Sequence, residues 1–351
     1  MHTIYSPLHH QHAPTHEFLE GRLLPCYELP SRAELILHAI NDAGIGPVIP
    51  PRTFGLDPIL AVHRPAYVHY LAHAYERWVA AGGAPEGVIP STLPIRGMLG
   101  FSPHPFAEAG YYSFDTCAPI VAGTYTAASA SADVALTGAA LLCAGETVVY
   151  ALCRPPGHHA GPDYCGGYCF FNNAAIAANY LARSGGNAAT SNDPQSATVA
   201  LLDIDYHHGN GTQAIFYERN DVFVVSIHAD PQRDYPFFTG FANERGSGRG
   251  LDYNLNLPVA AGANDTAYLA ILDQALTQIR AHQPRWLVIS AGFDTFDGDP
   301  LGDLRLSTAA YCAIGARIAA LETPTLIVQE GGYAVAALGT NVVSLLQAFS
   351  T

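Results

Sequence analysis

The sequence predicts an α/β fold in which helices cover both faces of a largely parallel sheet. Three observations predict it. Short, almost uninterrupted apolar runs recur along the chain, as strands buried on both faces require. Helical stretches alternate with them, the pattern of a parallel sheet. Polar residues of catalytic type follow directly after those runs, and an open parallel sheet binds its ligands beyond the carboxyl ends of its strands.

Taken in order, early helices are expected at 31–42, 65–81 and 120–143, the last rich in Ala, Ser and Gly and so suited to close packing. Strands are expected at 147–152, 198–205, 221–228, 285–291 and 325–330, with helices at 172–183, 211–218, 265–282 and 307–321 between or after them. Residues 82–109 break this rhythm with many Pro and Gly and scattered apolar side chains. A long irregular insert in a compact domain is usually functional or an interaction loop. The 351 residues suit a single domain, 1–351, carrying that insert.

Composition narrows the function. Sixteen basic against thirty acidic residues give a formal charge of −14, a field that repels nucleic acid and favours small cations. No apolar run of membrane-spanning length stands out, and the first residues lack a basic segment followed by an apolar one. A soluble, cytoplasmic protein without membrane or nucleic-acid partners is therefore expected. Seven cysteines without a CxxC pair fit a reducing compartment. Cys165 and Cys169 offer one CxxxC half-site, but no second half-site accompanies it, so buried thiols are the plainer reading.

Each expected strand ends in groups that can do chemistry: Arg154 to His159, Asp203 to Gly211, Ser226 to His228, Ala291 to Asp294, and Glu330 to Tyr333. Asp205 and His207 stand two apart, so extended backbone points both the same way, with Asp203 one step deeper. Together with Asp294 they make a three-ligand set with an open position, the layout of a catalytic metal site. Zn²⁺ or Fe²⁺ suits such N/O donors better than Mg²⁺ or Ca²⁺. An isolated Asp-x-His is more often a capped turn; the tandem His158-His159 and Asp294 favour the metal. A water at the open position would become a nucleophile while the metal polarises a scissile carbonyl. The leaving amine then needs a proton, which the paired histidines can supply. Asp203 is a natural acceptor for His158, and Asn210 for His159. Tyr333, after Gly331 and Gly332, can offer its hydroxyl to the oxyanion, although ordinary half-buried packing explains that tyrosine equally well.

These motifs, with the run Gly167 to Asn173, resemble the zinc-dependent histone deacetylase superfamily. The bacterial acetylpolyamine amidohydrolase branch is the nearest in pattern, on the strength of Leu24 to Glu28 with Arg32 to Glu34, the 82–109 insert, and Gly110-Tyr111-Tyr112. The resemblance implies an arginase/deacetylase-like three-layer α/β/α fold and removal of an acetyl group from an acetylated polyamine or similar small amine. It implies Asp205, His207 and Asp294 as zinc ligands, His158 and His159 as the acid–base pair with His159 the base, and Tyr333 as the oxyanion donor. The carbonyl of Gly167 would accept the substrate amide N–H, and Tyr168 and Tyr235 would wall the channel. A monovalent cation, K⁺ in the family, would use Asp203, Asp205, His207, Ser226 and the Ile227 carbonyl, with a more distant site near Phe216, Arg219 and Val222. The family's polyamine enzymes grip their cationic substrate with acidic residues where this chain has Phe106 and Cys117; Glu108 and Asp115 stand nearby as substitutes. Asp115 is also placed to hold a substrate backbone at the rim. The insert's apolar residues imply a homodimer formed through it.

Three other readings remain at this level. A protein-lysine deacetylase would share the chemistry, and an arginase-like two-metal ureohydrolase would need further aspartates beside the histidines. An inactive, metal-stabilised binding protein would have lost Tyr333 or a tandem histidine, and all three residues are present.

Overall fold

The structure is a computed structural model that describes residues 1–98, 100–184 and 198–349; Leu99 of the insert lies outside them. In chain order the elements are β1 (His2–Ile4), β2 (His16–Leu19), β3 (Arg22–Pro25), α1 (Pro30–Asp42), β4 (Val48–Ile49), α2 (Asp57–Leu60), α3 (Pro65–Ala80), α4 (Pro105–Tyr111) and α5 (Thr124–Cys143). There follow β5 (Val148–Ala151), α6 (Asn173–Ser184), β6 (Val199–Asp203), α7 (Asn210–Phe216), β7 (Val222–Ala229) and β8 (Asn254–Val259). The chain then forms α8 (Asp265–His282), β9 (Trp286–Ala291), α9 (Thr308–Ala319), β10 (Thr325–Gln329) and α10 (Val335–Gln347).

Eight strands make one sheet in the order β4-β1-β5-β10-β9-β6-β7-β8, parallel throughout. The five strands expected from sequence are the contiguous centre of that sheet, which is why their sequences are apolar on both faces. Alternation along them separates the two cores. Leu202, Ile289 and Ile327 face a layer built by α1, α8, α9 and α10, where Ile36, Leu272, Ile314 and Val342 are buried. Their neighbours Leu201, Val288, Leu326 and Val328 face α5 and α6, packing on Val134, Ala135, Ala174 and Leu181. The result is a three-layer α/β/α sandwich, and a third cluster lies under α3, around Tyr67, Leu71, Phe170 and Phe171.

Several elements escaped the sequence reading. β1, β4 and β8 are short or flanking strands that extend the sheet beyond its apolar centre, and β2 and β3 form a separate antiparallel hairpin. Helix α10 was absent from the expected set despite its apolar face, and α4 forms inside the segment expected to be irregular. Pro105 opens α4 and the His104 side chain accepts from Phe106 N–H, a local capping signal. Strand β6 ends at Asp203, two residues sooner than expected, because carboxylates take over the backbone donors: Asp203 Oδ1 accepts from Asp205 N–H at 3.0 Å. Helix α5 is twenty residues long and apolar enough by composition to cross a bilayer, but about two-thirds of it is buried inside the protein, against α6 and β5.

Candidate active site

The loops after β5, β10, β9, β6 and β7 converge at one end of the sheet. Asp205, His207 and Asp294 bring one ligand atom each within 4.8 Å of one another. His207 Nδ1 lies 3.3 Å from Asp205 Oδ1 and 3.2 Å from Asp294 Oδ2. Both carboxylates are buried, Asp294 completely. Burial, and then the neighbouring Asp205, push Asp294 up to about 7. Two carboxylates and an imidazole facing one point in a dry environment are a donor set that calls for a divalent cation. A second close group among the described residues, His158, Cys169 and Glu330, has its side chains already engaged: His158 Nδ1 pairs with Asp203, Cys169 Sγ donates to the Gly167 carbonyl, and Glu330 accepts three hydrogen bonds.

The tandem histidines lie beside the first group, their rings 4.0 Å apart. His158 Nδ1 is 2.9 Å from Asp203 Oδ2, and His159 Nδ1 is 2.7 Å from Asn210 Oδ1. The partners differ in charge, and that sets the two rings apart. Burial alone would lower His158, but Asp203 and Asp205 outweigh it and hold the ring well above its usual value. Burial, then the neighbouring His158 and His207, keep His159 well below its own, since Asn210 brings no charge to oppose them. Two adjacent titratable groups driven in opposite directions are a signature of acid–base assignment.

A cavity of about 520 Å³ opens above these residues, lined among others by His158, His159, Gly167, Tyr168, His207, Tyr235 and Tyr333. The rings of Tyr168 and Tyr333 are 5.6 Å apart, and Tyr235 stands edge-on to His159 at 5.1 Å. Gly167 adopts a positive φ of 52°, and a Cβ there would sit 2.3 Å from the His159 ring and 2.8 Å from the Tyr235 hydroxyl. Only glycine lets the wall come this close to His159.

The rim differs from expectation. Glu108 does not line the cavity; it is buried on α4 and pairs with Arg77 at 2.6 Å. Asp115 does line it, but its oxygens are engaged by Gly167 N–H (2.8 Å), the Tyr235 hydroxyl (2.5 Å) and Cys117 N–H (3.0 Å). It braces the channel wall, leaving little of it for a substrate backbone. Of the residues assigned to the monovalent cation, Ser226 pairs in register with Asp203 and is buried beside Ile227, with its hydroxyl 2.8 Å from His228 Nδ1. At the more distant location the Arg219 guanidinium sits 4.8 Å over Phe216 and bonds Asp221.

Several supporting residues carried no assigned role. Glu330 Oε2 accepts from Gly157 N–H (2.6 Å) and His158 N–H (3.2 Å), fixing the turn that presents the histidines. Glu28 joins two guanidiniums, Arg32 and Arg154, at 2.8 Å each. Arg32 in turn donates to the carbonyls of Gly332 (2.7 Å) and Glu330 (2.9 Å). A charged residue ending or flanking an apolar run was the available signal for Glu330 and Arg154. Phe114, which stacks 5.8 Å from Tyr235, had none.

The histone deacetylase domain family matches residues 26–349. The chain belongs to the histone deacetylase family. It is 46% identical over 349 residues to acetylpolyamine amidohydrolase 2 of Pseudomonas aeruginosa, covering 99% of this chain and 98% of that one. It is 40% identical to the acetylpolyamine amidohydrolase of Mycoplana ramosa, covering 99% of both. A crystal structure of an acetylpolyamine aminohydrolase from Burkholderia pseudomallei matches with a TM-score of 0.92 at 39% identity, over 100% of this chain and 99% of that one. This membership makes the protein a metal-dependent hydrolase of the deacetylase class.

Proposed function

We propose that this protein hydrolyses the amide of a small acetylated amine, an acetylated polyamine in the first instance, with Zn²⁺ held by Asp205, His207 and Asp294. The observation that carries the proposal is the carboxylate–imidazole triad at the cavity floor, beside two histidines whose partners set them to opposite proton affinities. The polyamine substrate is supported by the names of relatives that match along nearly the whole chain and by a net charge that attracts cationic amines.

When bound, the divalent ion would polarise the acetyl carbonyl and acidify a water beside it. The side chains do the rest. Tyr168 and Tyr235 clasp the extended acyl-amine stem, and the Gly167 carbonyl accepts the amide N–H. His159, kept neutral by burial and the neighbouring His158 and His207, accepts the proton of the attacking water at Nε2. His158 keeps Nδ1–H directed at Asp203 and balances the growing negative charge. The Tyr333 hydroxyl donates to the carbonyl oxygen as it becomes tetrahedral. A proton returned from the histidine pair lets the amine leave. Ser226 and the Ile227 carbonyl, beside Asp203, would hold a monovalent cation such as K⁺ behind this layer. A second copy of the chain would cover the apolar insert.

Turnover of the purified, zinc-loaded protein on acetylputrescine, acetylcadaverine and an acetyl-lysine peptide tests the reading. Preference for the free amines is expected. Preference for the peptide would reassign the protein as a lysine deacetylase, and inactivity on all three would overturn the proposal.

A further inference from the structure

The turn that carries Tyr333 is held through its backbone. Gly332 has φ 118°, a region closed to ordinary side chains, and a Cβ on Gly331 would meet the Asp294 and Asp205 carboxylate oxygens at 2.5 and 2.7 Å. Two glycines are therefore required at this point, and they leave the following tyrosine with little local restraint. Its hydroxyl contributes none of the hydrogen bonds that hold the turn. A donor whose value depends on where it points needs its backbone fixed from elsewhere.

Two anchors do this from opposite sides. Arg32 holds the carbonyl edge, as described above, with its guanidinium 4.8 Å from the Tyr333 ring centre. The amide edge is held by Asp299. Its Oδ2 accepts from Tyr333 N–H at 2.7 Å and from Ala334 N–H at 2.8 Å, and its Oδ1 accepts from Leu301 N–H at 3.0 Å. The side chain is buried. Pro300, Leu301 and Gly302, which follow it, line the cavity. One carboxylate thus ties the cavity wall to the turn that carries the tyrosine.

Building on the reading of Tyr333 as the carbonyl donor, we infer that Asp299 is its positioning residue: it acts on the reaction only by fixing where the Tyr333 hydroxyl stands. Charge-assisted bonds to two successive amides make this anchor stronger than a neutral one. Asn at this position can serve the two amides or Leu301, not both, because its Nδ2 is itself a donor.

The test is a double-substitution cycle with steady-state kinetics, and circular dichroism to check folding. Asp299→Asn should lower kcat by up to about 10²-fold, the cost of a small misplacement, with KM changed less than about twofold. In a Tyr333→Phe background the same substitution should cost nothing further, because the group it positions is gone. A second variant leaves Asp299 intact. Ala334→Pro removes one of the two amide donors on its Oδ2 at a residue whose φ of −72° suits proline, and should give a smaller kcat loss that also vanishes with Tyr333→Phe. This variant decides the matter if Asp299→Asn does not fold. Equal losses in both backgrounds, or a loss confined to KM, would overturn the positioning role. Normal turnover of Tyr333→Phe alone would instead sink the reading of Tyr333, and any role in positioning it with that.

Discussion

The loops at the tips of the central strands and the 82–109 insert differ in almost every physical respect. At the tips, the acidic side chains are buried and matched: Asp203, Asp294 and Glu330 are each about 1% exposed or less, and all have hydrogen-bond partners. In the insert, large apolar side chains face outward, with Ile95 68%, Met98 58% and Phe101 51% exposed. Burying polar groups is costly unless every partner is in place, so the tips accept almost no substitution without loss. An exposed apolar patch has no such internal demands and marks an outward-facing role. In the proposed reading the chemistry resides where the chain is constrained, and the insert, none of whose described residues lines the cavity, is free to serve pairing.

The sharpest way to test that contrast is at the tips. Stripping divalent metal with a chelator, or His207→Ala, should reduce turnover at least about 10³-fold by removing the Lewis acid. Activity restored by Zn²⁺ in the chelated wild type but not in His207→Ala would localise the effect, and full activity after chelation would break the comparison. Glu28→Gln should come next. It leaves the Arg32 and Arg154 guanidiniums buried without a counter-charge, at a cost of about 3–5 kcal/mol. Thermal unfolding reads this out, and an unchanged Tm would show the network to be expendable. Asn210→Asp sharpens the comparison more gently. A carboxylate beside His159 favours its protonated ring, so the acid limb of kcat/KM should move to higher pH. A profile that stays in place would argue against His159 as the base. The smallest stability effect is expected in the insert, where Ile95→Glu should change stability by no more than about 0.5 kcal/mol. Light scattering would show the dimer lost in this variant; a wild type already monomeric would remove the insert's proposed role in pairing.

The same contrast explains what could be read from sequence. The central strands were legible because burial on both faces leaves an unbroken apolar run, and the chemical groups stood out because they follow those runs directly. Flanking strands such as β1 and β4 pair with few residues and carry no such signature. The rim was harder still. Glu108 lies near the right place in sequence, but its charge is spent on Arg77, a contact set by how α4 packs on α3. Asp299 sits in a stretch that reads as a polar loop, and its value comes from a turn 34 residues further along the chain. Spacing reveals ligands that share one strand end; it does not reveal partners brought together only by the finished fold.

The bond from Arg32 to the Gly332 carbonyl has a consequence for how the protein comes into being. It joins positions 300 apart in the chain. The turn bearing Tyr333 can be locked only after residue 332 has been synthesised and has returned to the segment made near the beginning. Contacts of such range close late, and β10, which ends just before this turn, is also the strand that joins β5 to β9 in the middle of the sheet. A nascent chain halted before that point would hold neither a continuous sheet nor a working site, so structure and activity should be acquired together, at the end of synthesis.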